Sequence, residues 1–406
     1  MFPKLRFKKF DGDWTAVTLE SLAEVERGKF SVRPRNDPRY FGGEMPFIQT
    51  GDVTGSDVYL KGYTQTLNDD GIRVSKVFPA DTILITIAAN IGDTTITQYP
   101  VACPDSVVAI QPKQDKVNTI FLKNVIDLQK DNLDSQATQN AQKNINLQVL
   151  KPLKLIVPLK EEQTQIASFL SAVDEKISQL TKKHELLSQY KQGMMQKLFS
   201  QQVRFKADDG SEFGEWEEKL IKDIADVKGG KRIPKGYPLV NENTGHPYIT
   251  VSDMNRSYSI DSTNIRYVPL EVVDTIKRYT ITDKDIFISV AGTLGIIGKI
   301  PTEFNGANLT ENADKLTNLK CHQDFLIYLL DSGYLSELIE STATTSAQPK
   351  LALYAIEQLE VQIPCPEEQT KIANFLSAID QKIEVVAQQI EQAKTWKKGL
   401  LQQMFI

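Results

Sequence analysis

The stretch EEQTQIASFLSAVDEKI, from Glu161 to Ile177, returns as EEQTKIANFLSAIDQKI from Glu367 to Ile383. The surrounding segments, residues 157–200 and 363–406, align without a gap and are identical at 19 of 44 positions. Weaker matches precede both, since RFK (6–8) recurs as RFK (204–206) and LAEVERGK (22–29) as IADVKGGK (224–231). A repeat at a fixed separation indicates the overall architecture more directly than any local feature. The chain is therefore a tandem duplication.

Each repeated tail is predicted to be one long helix of a coiled coil. Apolar residues recur at spacings of three and four, beginning with Ile166 and Leu170 in the first copy and Ile372 and Leu376 in the second. That spacing is typical of a coiled-coil seam. We expect the two helices to pair antiparallel with each other, because the second globular segment follows from the far end of the first helix. At 1.5 Å per residue, each tail of about 39 residues spans roughly 58 Å and forms a rigid spacer.

The segments before the tails are predicted to be mixed α/β domains. Short β-rich runs alternate with turn residues at 46–48, 83–87, 107–110, 248–251 and 286–290, and helical patterns come later, near 121–128 and 325–339. The strand order is not readable from the sequence. The expected fold is therefore two tandem α/β (α+β) domains, each followed by a long helix. The expected boundaries are 1–157 for the first domain, 158–203 for the central helix, 204–362 for the second domain and 363–406 for the C-terminal helix.

Composition indicates an ordinary globular protein, with 41% hydrophobic and 24% charged residues and a net charge of −5. No apolar run has the unbroken length of a membrane span, and the basic N-terminus lacks the apolar core of a signal peptide, so we expect a cytoplasmic protein without membrane contact. The three cysteines, Cys103, Cys321 and Cys365, are far apart and the chain has three histidines. This pattern predicts reduced thiols and argues against a disulfide framework or a metal site.

No reactive constellation is found in the sequence. GTLGIIGKI, from Gly292, has the wrong spacing for a phosphate-binding loop and lacks the hydroxyl that follows the lysine. The acid-acid-lysine triplets at 174–176 and 217–219 lie within the predicted helix and at a domain start, where they do not fit a metal-dependent nuclease. His246 and His322 have no counterparts in the first half, so a repeated active site cannot depend on them. We therefore assign no catalytic residue.

Both domains carry a basic run at the same place in the repeat. Clustered arginine and lysine among Gly and Pro can reach the phosphate oxygens of DNA, which supply most of the sequence-independent affinity. A solvated loop without a partner is the alternative, and recurrence in two otherwise divergent domains favours phosphate contact. The candidate phosphate-binding residues are Arg27, Lys29, Arg33 and Arg35 in the first domain and Lys228, Lys231, Arg232 and Lys235 in the second.

Three further loops recur in position but differ in residues. They carry polar side chains of the types that hydrogen-bond to base edges, although the same types occur in any loop. The candidate base-contacting residues are Gln49, Asn90 and Gln142 in the first domain and Thr293 and Gln348 in the second.

Some positions of the tails are identical in both copies although they lie outside the coiled-coil seam. Two copies of one protein that dock on two equivalent surfaces would explain this identity, and a recent duplication would also produce it. The candidate docking residues are Gln163, Asp174 and Lys176 with their copies Gln369, Asp380 and Lys382.

Essentially the whole chain resembles the specificity (S) subunits of Type I restriction-modification systems. IVPLKEEQTQIASFLSAVDEKI (156–177) and QIPCPEEQTKIANFLSAIDQKI (362–383) carry the resemblance most strongly, together with the matching starts of the two halves. The resemblance implies two target-recognition domains that each read one half of a bipartite double-stranded DNA sequence, joined by paired helices. It implies that the chain is not catalytic and binds no cofactor. The docked partners would be two adenine-methyltransferase (M) subunits using S-adenosylmethionine and, where present, restriction (R) subunits using ATP and Mg.

The residues themselves agree with this assignment and leave two alternatives. Two unlike domains on a rigid spacer predict an asymmetric target with half-sites about one helical turn apart, and the helix length limits the separation to roughly 17 base pairs. A stand-alone methyltransferase or nuclease with unfamiliar motifs would show turnover without other subunits. A coiled-coil scaffold that ignores DNA would show no salt-dependent DNA affinity.

Overall fold

The computed structural model describes residues 3–88, 90–137, 144–343 and 350–405. The chain divides into two compact units, which we call unit 1 (Met1–Thr181 with Gln388–Ile406) and unit 2 (Lys182–Ala387). Both division points fall inside a long helix. Each unit therefore contains one α/β domain, the first half of the helix that follows that domain, and the last half of the other long helix.

Unit 1 is built from three small sheets and a set of short helices. Its described strands are β1 (Thr15–Thr18), β2 (Ala23–Arg27), β3 (Phe41–Phe47), β4 (Gln65–Leu67), β5 (Val77–Phe78), β6 (Ile83–Thr86), β7 (Thr94–Ile96), β8 (Val101–Ala102), β9 (Val107–Pro112) and β10 (Lys154–Val157). Its described helices are α1 (Leu19–Leu22), α2 (Thr50–Thr54), α3 (Asp69–Arg73), α4 (Thr119–Asp127), α5 (Lys130–Ser135), α6 (Leu147–Leu150) and the start of α7 (Lys160–Phe199).

Unit 2 has the same number of described strands and a similar set of α-helices. Its described strands are β11 (Glu217–Leu220), β12 (Asp226–Gly229), β13 (Pro247–Ile249), β14 (Arg266–Tyr267), β15 (Thr280–Ile281), β16 (Ile286–Ser289), β17 (Ile297–Gly298), β18 (Ala307–Leu309), β19 (Ala313–Thr317) and β20 (Glu360–Ile363). Its described helices are α8 (Ile221–Ile224), α9 (Val273–Ile276), α10 (Gln323–Leu329), α11 (Leu335–Ala343), α12 (Leu353–Glu357) and the start of α13 (Pro366–Phe405).

The two units share one strand topology, which the sequence did not reveal. In unit 1 the sheets have the orders β2-β9-β6-β7, β4-β3-β8-β5 and β1-β10, and in unit 2 they have the orders β12-β19-β16-β17, β14-β13-β18-β15 and β11-β20. The four-stranded sheet that contains β2 or β12, here called the central sheet, is antiparallel throughout. The second sheet has one parallel pair in each unit, β3 with β8 and β13 with β18. The two tandem α/β domains are thus confirmed.

The central sheet is covered on both faces. Ile83 and Ile85 of β6 pack in one cluster with Phe121 of α4, whereas Leu84 packs on the opposite side with Phe78 of the second sheet. A strand buried on both faces loses the alternation of polar and apolar residues, which is why ILIT (83–86) and its counterpart IFIS (286–289) read as continuous runs. Each domain therefore has three layers, formed by a helix, the central sheet and the second sheet.

The helix predicted over 325–339 is interrupted in the structure. A π-helical segment, Leu330–Tyr334, separates α10 from α11, and Gly333 within it has φ 151°. Residues with a side chain rarely adopt that backbone conformation, so glycine permits the bend. Neither α7 nor α13, nor any shorter helix in the described parts of the chain, has the length and apolar character that crossing a membrane requires.

The long helices pair antiparallel in unit 1. Ile166 and Leu170 at the start of α7 share a buried cluster with Met404 and Leu400 at the end of α13. Lys397 of α13 forms a salt bridge of 2.6 Å with Asp174 of α7. Residue numbers therefore rise along α7 as they fall along α13, as an antiparallel coiled coil requires.

The pairing in unit 2 uses the opposite halves of the same helices. Leu376 and Ile372 at the start of α13 share a buried cluster with Met195 and Leu198 at the end of α7. Lys191 of α7 forms the equivalent salt bridge of 2.6 Å with Asp380 of α13. The predicted antiparallel pairing of the two repeated helices is thus confirmed within each unit.

Candidate nucleic-acid interface

The basic runs lie at one edge of each central sheet. Strands β2 and β6 lie on either side of β9 and run antiparallel to it, so both end next to the start of β9. The same holds for β12, β16 and β19 in unit 2. We call this edge the loop edge. In unit 1 it consists of residues 27–35, 87, 88, 90 and 103–106, and in unit 2 of residues 229–235, 290–293 and 310–312.

A glycine in each basic run allows two loops of the loop edge to touch. A Cβ on Gly28 would lie 2.3 Å from the carbonyl oxygen of Pro104, and a Cβ on Gly230 would lie 2.0 Å from that of Thr310. Both distances are shorter than any contact that a real side chain makes. Glycine at these two positions therefore lets the basic run pass directly over the loop that precedes β9 or β19.

All eight candidate phosphate-binding residues are exposed, but three of them form salt bridges and two others donate to backbone carbonyls. The Nε atom of Arg27 donates a hydrogen bond to the carbonyl oxygen of Asp105, and Arg35 forms a 2.8 Å salt bridge with the Asp105 carboxylate. In unit 2, Lys228 lies 3.3 Å from Asp226, and Arg232 pairs with Glu311 at 2.5 Å. Arg33 donates to the carbonyl oxygen of Val32 at 2.8 Å. Within the described residues, no salt bridge involves Arg27, Lys29, Arg33, Lys231 or Lys235.

The electrostatics of the loop edge are therefore mixed. The hydrogen bond with Glu311 raises the pKa of Arg232. Burial acts to raise the pKa of Glu311, but the hydrogen bond from Arg232 and further bonds outweigh it, so that this pKa lies below its ordinary value. Both groups are thus charged at neutral pH, and part of the positive charge at the loop edge is neutralised by the chain itself.

The structure places one candidate base-contacting residue of unit 1, Asn90, at this edge and a second, Gln49, beside it. Strand β3 is parallel to β8, which leads into the loop before β9, so Gln49 at the end of β3 lies on the same side as the basic run. The Nδ2 atom of Asn90 lies 3.4 Å from Oγ1 of Thr54, which ends the helix that Gln49 caps. Gln49 is half-buried and donates to Gln65 at 3.0 Å, whereas Asn90 is exposed.

The remaining candidates for base contact are only partly described. Thr293 of unit 2 is exposed in the loop that follows β16, which places it at the loop edge. Gln142 and Gln348 lie outside the described residues. The residues that follow them are described, and their position repeats, because the N–H of Ile145 donates to the carbonyl oxygen of Ile87 and that of Leu351 to Val290. The contacts with bases remain predictions.

Gln163 and Gln369 do not lie on outward helix faces, which corrects their expected placement. Their side chains are 1% and 3% exposed. The Oε1 atom of Gln163 accepts from the backbone N–H of Asn118 at 3.0 Å, and that of Gln369 accepts from His322 at 2.8 Å. The identity of these glutamines therefore follows from the attachment of each helix to its own domain, because buried polar groups need hydrogen-bond partners.

The other identical positions divide into two kinds. Asp174 and Asp380 are half-buried and form the interhelical salt bridges with Lys397 and Lys191 described above, which accounts for their identity without a partner. Lys176 and Lys382 are exposed, as expected for a docking surface.

Sequence reasoning missed an anchor that joins each domain to its helix. The guanidinium of Arg6 binds the buried Glu162 carboxylate with two hydrogen bonds of 2.7 Å, and Arg204 binds Glu368 with bonds of 3.1 and 2.7 Å. The repeated RFK and EEQT motifs contained both partners. In each half both motifs recur, and the arginine precedes the glutamate by 156 residues in the first half and by 164 in the second. This joint recurrence was the sequence signal that could have predicted the pair.

Metal chemistry has no support among the described residues, where no three His, Cys, Asp or Glu side chains are grouped closely enough to hold an ion. Cys103 is buried and Cys321 is half-buried, and burial raises the pKa of Cys103 to about 12 and that of Cys321 to about 11. Such thiols are protonated at neutral pH and are poor nucleophiles or ligands.

Comparison with known proteins agrees with the duplicated fold and the paired helices. The model of the Type I restriction modification DNA specificity domain matches twice, over residues 11–188 and 214–395. The chain therefore belongs to this family, and each half carries one copy of its domain.

Similar proteins align with this chain over most of their length. A putative type I restriction enzyme MjaX specificity subunit from Methanocaldococcus jannaschii is 26% identical, with 98% of this chain and 94% of the relative aligned. The type I restriction enzyme EcoBI specificity subunit from Escherichia coli is 20% identical over 96% of this chain and 84% of the relative. The crystal structure of a Type-I restriction-modification system S subunit from M. genitalium has a TM-score of 0.64 at 19% identity, covering 100% and 99% of the two chains. This last likeness is one of fold.

Proposed function

We propose that this chain is the sequence-specific DNA-binding subunit of a Type I restriction-modification complex. Each unit reads one half of an asymmetric, bipartite double-stranded target through its loop edge. The paired helices fix the spacer between the half-sites and dock two adenine-methyltransferase subunits. Restriction subunits are a further class of partner.

The observation that carries this proposal is the pair of loop edges. Both present exposed cations at repeated positions of one topology, as Lys29 follows Gly28 and Lys231 follows Gly230. The neighbouring polar residues differ, with Asn90 in one loop and Thr293 in its counterpart. Phosphate contacts position a protein on DNA and base contacts specify the sequence. Cations that recur in both units, beside polar residues that differ between the units, are therefore what two domains with different half-sites need.

The chemistry of modification is assigned to the partners. The names of the relatives describe specificity subunits, and no catalytic constellation was found in this sequence. S-adenosylmethionine is accordingly assigned to the methyltransferase subunits, and ATP and Mg to restriction subunits, with no cofactor on this chain.

Methylome sequencing of the host with and without the gene for this chain tests the proposal. We expect one asymmetric bipartite adenine-methylation motif to disappear on deletion and to return on complementation. Purified chain incubated alone with plasmid DNA and labelled S-adenosylmethionine should transfer no methyl group. Turnover by the isolated chain would support a stand-alone enzyme instead, and an unchanged methylome would support a scaffold.

Partner docking is proposed on the exposed identical positions of the two helices. Glu161, Thr164, Ala172 and Lys176 follow one another at helical spacing along the exposed side of α7. Their copies on α13 are Glu367, Thr370, Ala378 and Lys382, and all are exposed. None of the eight forms a salt bridge within the described residues, so internal ion pairing does not explain their identity.

Reversing both exposed lysines tests this surface. Lys176→Glu with Lys382→Glu is expected to abolish co-purification of both methyltransferase subunits, whereas each single change should abolish one. The reason is that a reversed charge opposite a complementary interface costs several kcal/mol. The subunit ratio after affinity purification measures the outcome.

Lys398→Glu is the matched control, because Lys398 is exposed and its counterpart in the first repeat is Gln192. This variant should retain two methyltransferase subunits. Retention of both subunits by the double variant would show that docking uses another surface.

A further inference from the structure

An acidic residue stands in the same place at both loop edges. Asp105 lies two residues before β9, and Glu311 lies two residues before β19. Both belong to the loop over which a basic run passes at Gly28 or Gly230. A carboxylate in this position opposes the approach of DNA phosphates, so its presence in both units calls for a physical reason.

In unit 1, Asp105 holds two arginines of the basic run. Its carboxylate lies 2.8 Å from Nη2 of Arg35. Its backbone carbonyl accepts a hydrogen bond from Nε of Arg27. The side chains of Arg35 and Asp105 are 52% and 38% exposed, so a ligand can reach the pair. Asp105 lies in the loop before β9, which attaches the pair to the central sheet.

In unit 2, Glu311 forms a more extensive network. One carboxylate oxygen lies 2.5 Å from Nε of Arg232, and the other accepts a hydrogen bond from Thr310 at 3.1 Å and lies 3.4 Å from the hydroxyl oxygen of Tyr248. That hydroxyl donates to the backbone carbonyl of Lys231 at 2.8 Å. The Arg232 side chain is 77% exposed, and because its bond to Glu311 uses Nε, both terminal nitrogens remain available.

The interaction recurs although the two arginines that make it do not lie at corresponding positions. Arg232 lies two residues after Gly230, whereas Arg35 lies seven residues after Gly28. The acid is Asp in one unit and Glu in the other. Common ancestry explains an acid at the matching position, but it does not by itself bring an arginine from a different position to pair with it in each unit. The recurrence therefore indicates that the ion pair itself is useful.

Pairing changes what an arginine contributes to DNA binding. A free cation binds any phosphate and adds affinity for every sequence. A guanidinium fixed by a carboxylate contributes little net charge, but its plane is held and its outer N–H groups remain available. Arginine held in this way suits the two acceptors of guanine, O6 and N7, which it contacts as a bidentate pair.

We propose that Asp105 and Glu311 are positioning residues that determine sequence specificity. Each holds one arginine, Arg35 or Arg232, in the orientation that contacts a guanine edge. By pairing with that arginine, each acid also weakens binding to the phosphates of unrelated DNA. This inference rests on the proposed function, since it assigns a role within the same two loop edges.

The test uses Asp105→Asn and Glu311→Gln in the full chain bound to its methyltransferase subunits. Binding is measured against the target duplex, against every single-base substitution in both half-sites, and against unrelated duplex. For Asp105→Asn we expect about ten-fold loss of discrimination at one position of a single half-site, tighter binding to unrelated duplex, and no change at the other half-site. Glu311→Gln should do the same at the other half-site. Arg35→Lys should match the loss of discrimination in the first half-site, because lysine cannot form the bidentate contact.

Asp57→Asn and Asp274→Asn are the matched controls. Both remove one acid from a surface salt bridge in the same units, and their side chains are 81% and 90% exposed. They should leave discrimination unchanged at every position. The inference is overturned if Asp105→Asn and Glu311→Gln behave as these controls do, or if both affect the same half-site. Absence of sequence discrimination by the wild-type complex would instead contradict the proposed function, so the two failures are distinguishable.

Discussion

Replacing Arg204 with methionine is expected to lower the free energy of unfolding of unit 2 by about 3–5 kcal/mol, because it leaves a buried carboxylate without its charge partner. The Glu368 side chain is fully buried, and Arg204 is held by two hydrogen bonds that raise its pKa. Trp216 donates its indole N–H to the same carboxylate at 3.2 Å. Hydrogen exchange followed by mass spectrometry measures the effect, since it resolves peptides of unit 2 from those of unit 1.

The neighbouring lysine provides the control for this experiment. Lys206 forms a salt bridge of 2.6 Å with Glu212, but the two side chains are 60% and 68% exposed. Exposed ion pairs contribute at most about 1 kcal/mol, so Lys206→Met should change protection little. Equal effects of the two substitutions would show that the Arg204–Glu368 anchor does not hold the domain on its helix.

Neutralising four loop-edge cations that form no salt bridge is expected to cause the largest loss of DNA affinity among the variants proposed. The variant replaces Lys29, Arg33, Lys231 and Lys235 with alanine. Each phosphate contact contributes about 0.9 to the slope of log affinity against log salt concentration. The slope should therefore fall by as much as about 3.6, and binding at low salt should weaken by several orders of magnitude for specific and unrelated DNA alike. Fluorescence anisotropy over a salt series measures both quantities.

A variant with the same change in charge elsewhere separates local contact from net charge. Its four alanines replace exposed lysines that lie away from the loop edges, Lys154, Lys183, Lys284 and Lys398. We expect the salt slope of this control to stay within about one unit of the wild-type value. A control slope as low as that of the loop-edge variant would place the DNA contacts outside the basic runs.

The repeat predicted the architecture because the same helical pattern recurs far apart in the chain. Spacings of three and four around Ile166 and Ile372 predicted two helices that need a partner, and the duplication supplied one. Helix and strand positions were also close to the observed ones, as α4 (Thr119–Asp127) overlaps the pattern near 121–128. Hydrophobic periodicity determines such local structure directly.

The strand order could not be predicted, since the short strands β5 and β8 have only two residues each and their partners are distant in sequence. Because partners distant in sequence cannot be read from a local pattern, the prediction that all the identical helix residues face outward was also wrong for the glutamines. Gln163 looked exposed because it lies outside the seam, and the surface that buries it comes from residues near Asn118. A pattern within one helix cannot show a neighbour that the rest of the fold provides.

The sequence by itself determined the duplication, the coiled-coil helices and the recurrence of basic runs, because each of these is a pattern along the chain. Only the tertiary structure decided which cations form salt bridges with acidic residues, as Arg35 does with Asp105 and Arg232 with Glu311. Those pairs join residues 70 and 79 positions apart, and their formation depends on how strands β2, β6 and β9, or β12, β16 and β19, are arranged in the central sheet. Charge can be counted from a sequence, but its neutralisation depends on distances that folding sets.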